Sequence, residues 1–258
     1  MLRRLPFFLY GVLVYAAFFA IFCYLFGFAT NLLVPKSIDA PNADGRFPVW
    51  LGPALLLLFG VQHAIMARPR FKAWIAPLVP HAIERSTFVL VATAILAATM
   101  YVWQPLPTPI WELESPFLRN AFLALSAAGF ALVLGSSFLI DHFDLFGLRQ
   151  VTLHLLGKPY TQRPFVERAI YRHVRHPLML GFLVWMWSTP TLTLGHLLFA
   201  GLLSAYMAVG LRLEERDLVA QHGEAYRAYQ RRTPMLLPRL FRAGTERAET
   251  AAVRPSSR

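Results

Sequence analysis

The chain is poor in two things that soluble proteins use freely. It has one cysteine, Cys23, in 258 residues, and only 15% of its residues are charged. A single cysteine rules out an intrachain disulfide and a thiolate metal cluster. Set inside an apolar run, Cys23 reads as a small hydrophobe. The charge content falls well below the roughly 25% of an ordinary soluble domain. Acidic residues number 14 against 25 basic ones, a formal net charge of +11. No Gly-x-Gly occurs, so a Rossmann-type nucleotide site is excluded. No His-x-x-x-His or Glu-x-x-His pair sits in an apolar stretch, which argues against a metal.

Long apolar runs fill the deficit. Hydrophobic residues make up 56% of the chain and phenylalanine alone contributes 21. Runs at 7–33, 48–66, 86–103 and 118–140, with an apolar hairpin at 177–189 and 193–213, predict an all-α polytopic integral membrane protein of five to six spans. The 177–189 arm, turning at Pro190, is short for a roughly 30 Å hydrocarbon core and reads as tilted or re-entrant. The first run is too long for a signal-peptide core and reads as an uncleaved span. We divide the chain into spans at 1–140, a core with the hairpin and a polar C-terminal segment at 141–242, and a disordered tail at 243–258.

Loop charges alternate. Arg3 and Arg4 precede the first span, and Asp39, Asp44, Lys36 and Arg46 mix in the loop 35–47. Arg68, Arg70, Lys72 and Arg85 crowd 67–85, whereas 104–117 has only Glu112 and Glu114. Arg149, Lys158, Arg163, Arg168, Arg172 and Arg175 occupy 141–176. By the positive-inside rule both termini are cytoplasmic, which suits a bacterial inner-membrane protein. That rule also accounts for the net positive charge without nucleic acid, since the basic residues lie in short loops. Trp50, Trp74, Trp103 and Trp111 sit near span boundaries, where interfacial anchors belong.

Polar groups gather at one end of this layout. Gln62 and His63 end the second span, Glu84 to Thr87 begin the third, Asp141 and His142 end the fourth, and Arg175 and His176 open the hairpin that Arg212, Glu214 and Glu215 close. Ionisable groups against apolar spans mark a functional site, here facing the cytosol.

Two segments carry a resemblance. The run Ala169 to Gly181, with Tyr171, Arg175, His176 and Pro177, resembles the first signature of the isoprenylcysteine carboxyl methyltransferase superfamily. The run Glu214 to Tyr229, with Glu215 and Tyr226, is similar to its second. Ala169-Ile170 stands where that family has Gly-Pro, and Met179 where it has Tyr. Gln62 to Trp74, Ile83 to Thr87 and Asp141 to Gln150 look like the bacterial methanethiol S-methyltransferase branch. NnrU-type membrane proteins share parts of the pattern. With these segments the likeness spans roughly 7–240. It implies methyl transfer from S-adenosyl-L-methionine to a small thiol, giving dimethyl sulfide. Methylation of a prenylcysteine carboxylate or other lipid nucleophile, or a non-enzymatic NnrU-like role, are the alternatives.

The residues suit that donor. Its carboxylate calls for a forked arginine, Arg175 or Arg212. Its amine and ribose hydroxyls call for Glu214 or Glu215, and its adenine for a slot such as Tyr226 and Tyr229 would wall. Tyr171 and Gly181 come with the resemblance. His176 and Pro177 open a helix whose N–H groups favour anions. The sulfonium leaves as a neutral thioether, so catalysis reduces to alignment and to making a thiolate. An Asp141–His142 pair is the first choice of base and His63 the second. Glu84–Arg85 reads as a local ion pair, and Arg68 to Lys72 as a topology determinant. His154, His173, His196 and His222 read as structural. Oligomeric state has no signature in the chain.

Overall fold

The computed structural model describes residues 2–40, 45–161 and 169–237. Asp44, Arg163, Arg168 and the tail 243–258 lie outside the described residues. The chain is an integral membrane protein built from apolar helices. Among the described residues four helices are long and apolar enough to cross a membrane: Leu2–Thr30, His81–Val102, Pro116–Ile140 and Leu194–His222. A bent pair, Leu51–Met66 and Pro69–Ile75, makes a fifth, and Pro177–Trp187 is a shorter apolar helix.

Local chemistry sets the ends. After a single 3-10 turn, α1 (Leu5–Thr30) carries Pro6 in its first turn, where the missing N–H costs nothing. It stops at Asn31, which takes the left-handed conformation (φ 58°) and donates its N–H to Gly27 O. Helix α2 (Leu51–Met66) breaks before Pro69, because Arg68 must go extended ahead of a proline. The chain turns by 84° into α3 (Pro69–Ile75). Helix α4 (His81–Val102) follows. A strand β1 (Pro109–Glu112) precedes α5 (Pro116–Ile140). Two short helices, α6 (His142–Leu145) and α7 (Leu148–Leu155), are joined by Gly147 at φ 89°. A Cβ on Gly147 would come within 2.6 Å of Ser86 Oγ, so the bend lets α4 press against it. Then come α8 (Pro177–Trp187), β2 (Thr191–Thr193), α9 (Leu194–His222) and α10 (Glu224–Arg232).

The two strands were not expected, and they decide where the hairpin goes. Helix α8 has 11 residues, about 16 Å of rise, against a core of about 30 Å. Residues 188–193 continue past it, and β2 pairs antiparallel with β1, Pro109 opposite Thr193 and Trp111 opposite Leu192. Leu113 N–H donates to Pro190 O at 2.9 Å, and Gly195 N–H to Leu106 O at 3.0 Å. The short arm therefore reaches the far end of the bundle, where β1 follows α4, and α9 returns over 29 residues.

Helices α5 and α8 make the closest approach. A Cβ on Gly181 would lie 2.8 Å from Gly129 O and Val133 N, and one on Gly129 would lie 2.5 Å from Trp185 N. Helix α1 packs on α4 and α7, and α2 lies between α4 and α9. The core holds Phe28, Trp103, Trp185, Met186 and Phe199. Trp103, expected as an interfacial anchor, is 1% exposed and packs edge-on to Phe28 and Phe199. Trp50 and Trp74 are exposed. Leu13, Leu57, Val61, Leu125 and Val209 point outward, as lipid-facing positions of spanning helices do.

Candidate active site

The two sequence motifs meet. Arg175, just before α8, sends Nε to Glu215 Oε1 at 2.6 Å and Nη2 to Oε2 at 3.0 Å, a forked pair on α9. Its Nη1 donates to Gln230 O at 3.1 Å and to Thr233 O. His176 Nε2 lies 3.1 Å from Glu215 Oε1, and Gln230 Nε2 donates to Oε2 at 3.0 Å. Backbone bonds complete the joint: Arg175 N–H to Pro234 O (2.9 Å) and His176 N–H to Met235 O (3.1 Å). The side chains of Arg175 and Glu215 are 8% and 10% exposed. Ions taken this far from water are tolerated only with such complete pairing. The arrangement is a latch, folding α10 and the residues that follow it back onto the start of α8.

That latch reorders the expectations. The fork of Arg175 is filled by Glu215 and by two backbone carbonyls, so it does not face an incoming carboxylate. Tyr226 and Tyr229 are 1% and 2% exposed. Their rings pack on each other at 5.7 Å, and Tyr229 donates to Tyr171 O at 2.5 Å. They are interior to the latch and do not wall an open slot. Burial pushes the phenols of Tyr171 and Tyr226 up, so both stay neutral. Tyr171 donates to Ser136 O at 3.3 Å. Gly181 serves the contact of α8 with α5, and Pro177 occupies the first turn of α8. Arg212 is exposed. Glu214, the neighbour of Glu215, has a 52% exposed side chain whose Oε2 lies 3.9 Å from His176 Nδ1. It is the carboxylate of the pair left open to a ligand.

The Asp141–His142 pair does not form through the imidazole, because both ring nitrogens have other partners. Nδ1 shares a hydrogen bond with Ser137 Oγ and Nε2 one with Tyr15 OH, each 2.8 Å. The ring stacks on Phe138 at 4.1 Å, and burial pushes the imidazole below its ordinary value. Asp141 instead caps α6 by accepting from Asp144 N–H at 3.3 Å. Sequence spacing offered no route to Tyr15, which lies within the first span.

His63 stands differently. Its ring touches Phe88 (4.6 Å), Phe59 (5.3 Å) and Tyr206 (5.8 Å), and its Nδ1 is out of solvent with no hydrogen-bond partner among the described residues. One turn along α2 opens a shallow recess with enclosed space for about one water molecule, lined by Met66, Ala67, Lys72, Ile75, Glu84, Arg85 and Phe88. Glu84 pairs with Lys72 Nζ at 2.9 Å, not with its neighbour Arg85. Arg85 lies over Phe88 at 5.9 Å and has no carboxylate in ion-pair range among the described residues. Sequence reasoning missed this; the signal was Lys72, a second cation competing for one glutamate.

Other polar atoms at the same end share this condition. Gln62 Oε1, Ser86 Oγ, Ser136 Oγ and Gln150 Oε1 are buried without a hydrogen-bond partner among the described residues. Such groups are rare in a finished interior and ask for water or ligand. Among the described residues no cluster of histidine, cysteine and carboxylates is gathered as a metal would need.

Comparison with known proteins agrees in extent with this geometry. The family model described as NnrU protein matches residues 53–246. Methanethiol S-methyltransferase 1 of Bradyrhizobium diazoefficiens is 47% identical over 90% of this chain and 81% of its own length. Methanethiol S-methyltransferase of Mycobacterium tuberculosis is 47% identical over 89% of this chain and 95% of its own. Nurim of Homo sapiens is 32% identical over 72% of this chain and 71% of its own length. No solved structure matches.

Proposed function

This chain belongs to the NnrU family and, within it, to the methanethiol S-methyltransferases, and from that premise we propose that it methylates methanethiol to dimethyl sulfide with S-adenosylmethionine as donor. The single observation that carries the reading is the 47% identity spread over 90% of the chain, which takes in every polar segment of the site. The bacterial inner membrane is the proposed location, with both termini and the site on the cytosolic side, as the loop charges require.

The residues present fit such a donor. When bound, S-adenosylmethionine supplies a methyl group made electrophilic by a positively charged sulfur. Glu214 offers a carboxylate to its amine or ribose hydroxyls. The latch contributes by position. Arg175 and His176 hold Glu215, and Glu215 fixes the turn of α9 on which Glu214 sits. Alignment of this kind supplies most of what an in-line displacement needs. A small recess among the described residues suits a small thiol better than a prenyl chain, which would need an opening between helices.

The direct experiment uses the full chain purified in detergent, with S-adenosylmethionine and methanethiol supplied and headspace dimethyl sulfide measured. Dimethyl sulfide in proportion to enzyme is the expected result. Product from a farnesylated cysteine and none from methanethiol would overturn the reading.

A further inference from the structure

We propose that the recess between α2, α3 and α4 is the thiol subsite, with Arg85 as the cation that holds the thiolate and His63 as the acceptor of its proton. The inference rests on the thiol-methylation reading and adds the residues that receive the nucleophile.

Three independent features converge there. First, Arg85 is a half-buried guanidinium without a carboxylate partner among the described residues, because Lys72 has taken Glu84. A cation removed from water and left unpaired is costly, and an anion arriving beside it relieves that cost. Second, His63, which does not itself line the recess, presents a dehydrated Nδ1 with no hydrogen-bond partner among the described residues. It is joined to the recess through Phe88, against which its ring packs at 4.6 Å, and through Met66, one turn along the same face of α2. Third, four of the seven lining residues, Met66, Ala67, Ile75 and Phe88, are apolar and polarizable, beside the charged Lys72, Glu84 and Arg85. Met66 sulfur already accepts from Gln62 Nε2 at 3.0 Å. A methylthio group suits the apolar part of this wall.

The recess also connects to the open carboxylate. His63 touches Tyr206, and Glu214 lies about two turns further along α9. His142 has both ring nitrogens engaged, and His196, whose Nδ1 is also buried without a hydrogen-bond partner among the described residues, sits in the first turn of α9 at the far end of the bundle with Nε2 on Met186 O.

The chemistry balances without a co-reactant. The thiol S–H proton passes to His63 Nδ1, and the electron pair stays on sulfur beside Arg85. That sulfur forms the new S–C bond to the donor methyl as the sulfonium S–C bond breaks, its electrons returning to the departing neutral thioether. His63 then returns its proton to water, so each turnover releases one proton. The negative sulfur beside the ring offsets repulsion between Arg85 and the imidazolium, as in thiolate–imidazolium pairs.

Arg85→Ala, Arg85→Lys and His63→Gln, with thermal unfolding in detergent to confirm folding, test this. In protein without donor, ethanethiol binding is followed by the ultraviolet band of the thiolate. The parent develops the band; Arg85→Ala loses it and Arg85→Lys keeps part. Affinity for S-adenosylmethionine by calorimetry stays within about twofold in all three. In turnover Arg85→Ala loses at least about tenfold in kcat/KM for methanethiol. His63→Gln acquires a kcat/KM that climbs about tenfold per pH unit, because only preformed thiolate now reacts. Among the described residues, the titratable group packed against His63 from another helix is Tyr206 on α9, and Arg85 on α4 is the charged group nearest in effect. Weakened donor binding in Arg85→Ala with unchanged thiol binding would assign Arg85 to the donor carboxylate and overturn the proposal, as would variants indistinguishable from the parent. A parent that binds thiolate through Arg85 yet makes no dimethyl sulfide would sink the proposed function and leave the subsite standing.

Discussion

Glu214 and Glu215 are adjacent in sequence and separate in role. About 100° of helical rotation divides them, enough to turn Glu215 into the forked grip of Arg175 and leave Glu214 half-exposed beside His176. Their isosteric variants should therefore behave oppositely. Glu215→Gln leaves Arg175 buried and uncompensated, and stability should fall by about 3–5 kcal/mol, read as a lowered unfolding midpoint in detergent. Glu214→Gln should unfold with the parent and bind S-adenosylmethionine at least about tenfold more weakly, read by calorimetry. Equal destabilisation by both would dissolve the distinction. At this scale the chain names the candidates, Arg175, His176, Glu214 and Glu215, because charged groups beside apolar spans are conspicuous. It does not sort them. Sorting depends on which groups find partners, and the partners Gln230, Thr233, Tyr15 and Ser137 are unremarkable residues whose relevance appears only in space.

Among elements, α8 shows how a short helix can cross. Its 11 residues do not span by themselves; the extended residues after it and the pairing of β2 with β1 complete the passage. The helix is seated by glycine-to-backbone contact with α5, where no side chain would fit. Gly181→Ala should force α8 and α5 apart, at a cost of about 1–3 kcal/mol, and loosen the N-terminal turn that carries His176. Gly210→Ala is the control. Nothing lies within 4 Å of a Cβ at that position of α9, so the better helix former should be neutral or stabilising by up to about 1 kcal/mol. Thermal unfolding of the two variants decides it, and equal loss in both would remove the close-packing argument. Helices themselves were legible from apolar run length, and several boundaries were sharpened by Pro6, Pro69, Pro116 and Pro177. The strands were not legible, since four and three residues carry too little pattern to stand out. Trp103 misled for a related reason: proximity to a span end says nothing about which side of the helix faces lipid.

For the molecule as a whole, the alternation of charged loops predicts its orientation. Reporter fusions after residue 237 and in the loop 104–117 test it: a reporter active only in the cytoplasm should work at the first position, and one active only outside at the second. The reverse pattern would place the site on the wrong side for a cytosolic donor. Class, span positions, the end at which polar groups gather and the two motifs were all set by composition and order along the chain, because apolar length and charge are properties of consecutive residues. Which arginine is consumed in a latch and which is left without a partner, which histidine is satisfied and which is vacant, was decided only by tertiary structure. The reason is physical. A charge is spent or available according to its nearest neighbours in space, and for Arg175, Arg85, His142 and His63 the deciding groups come from other helices or from distant turns.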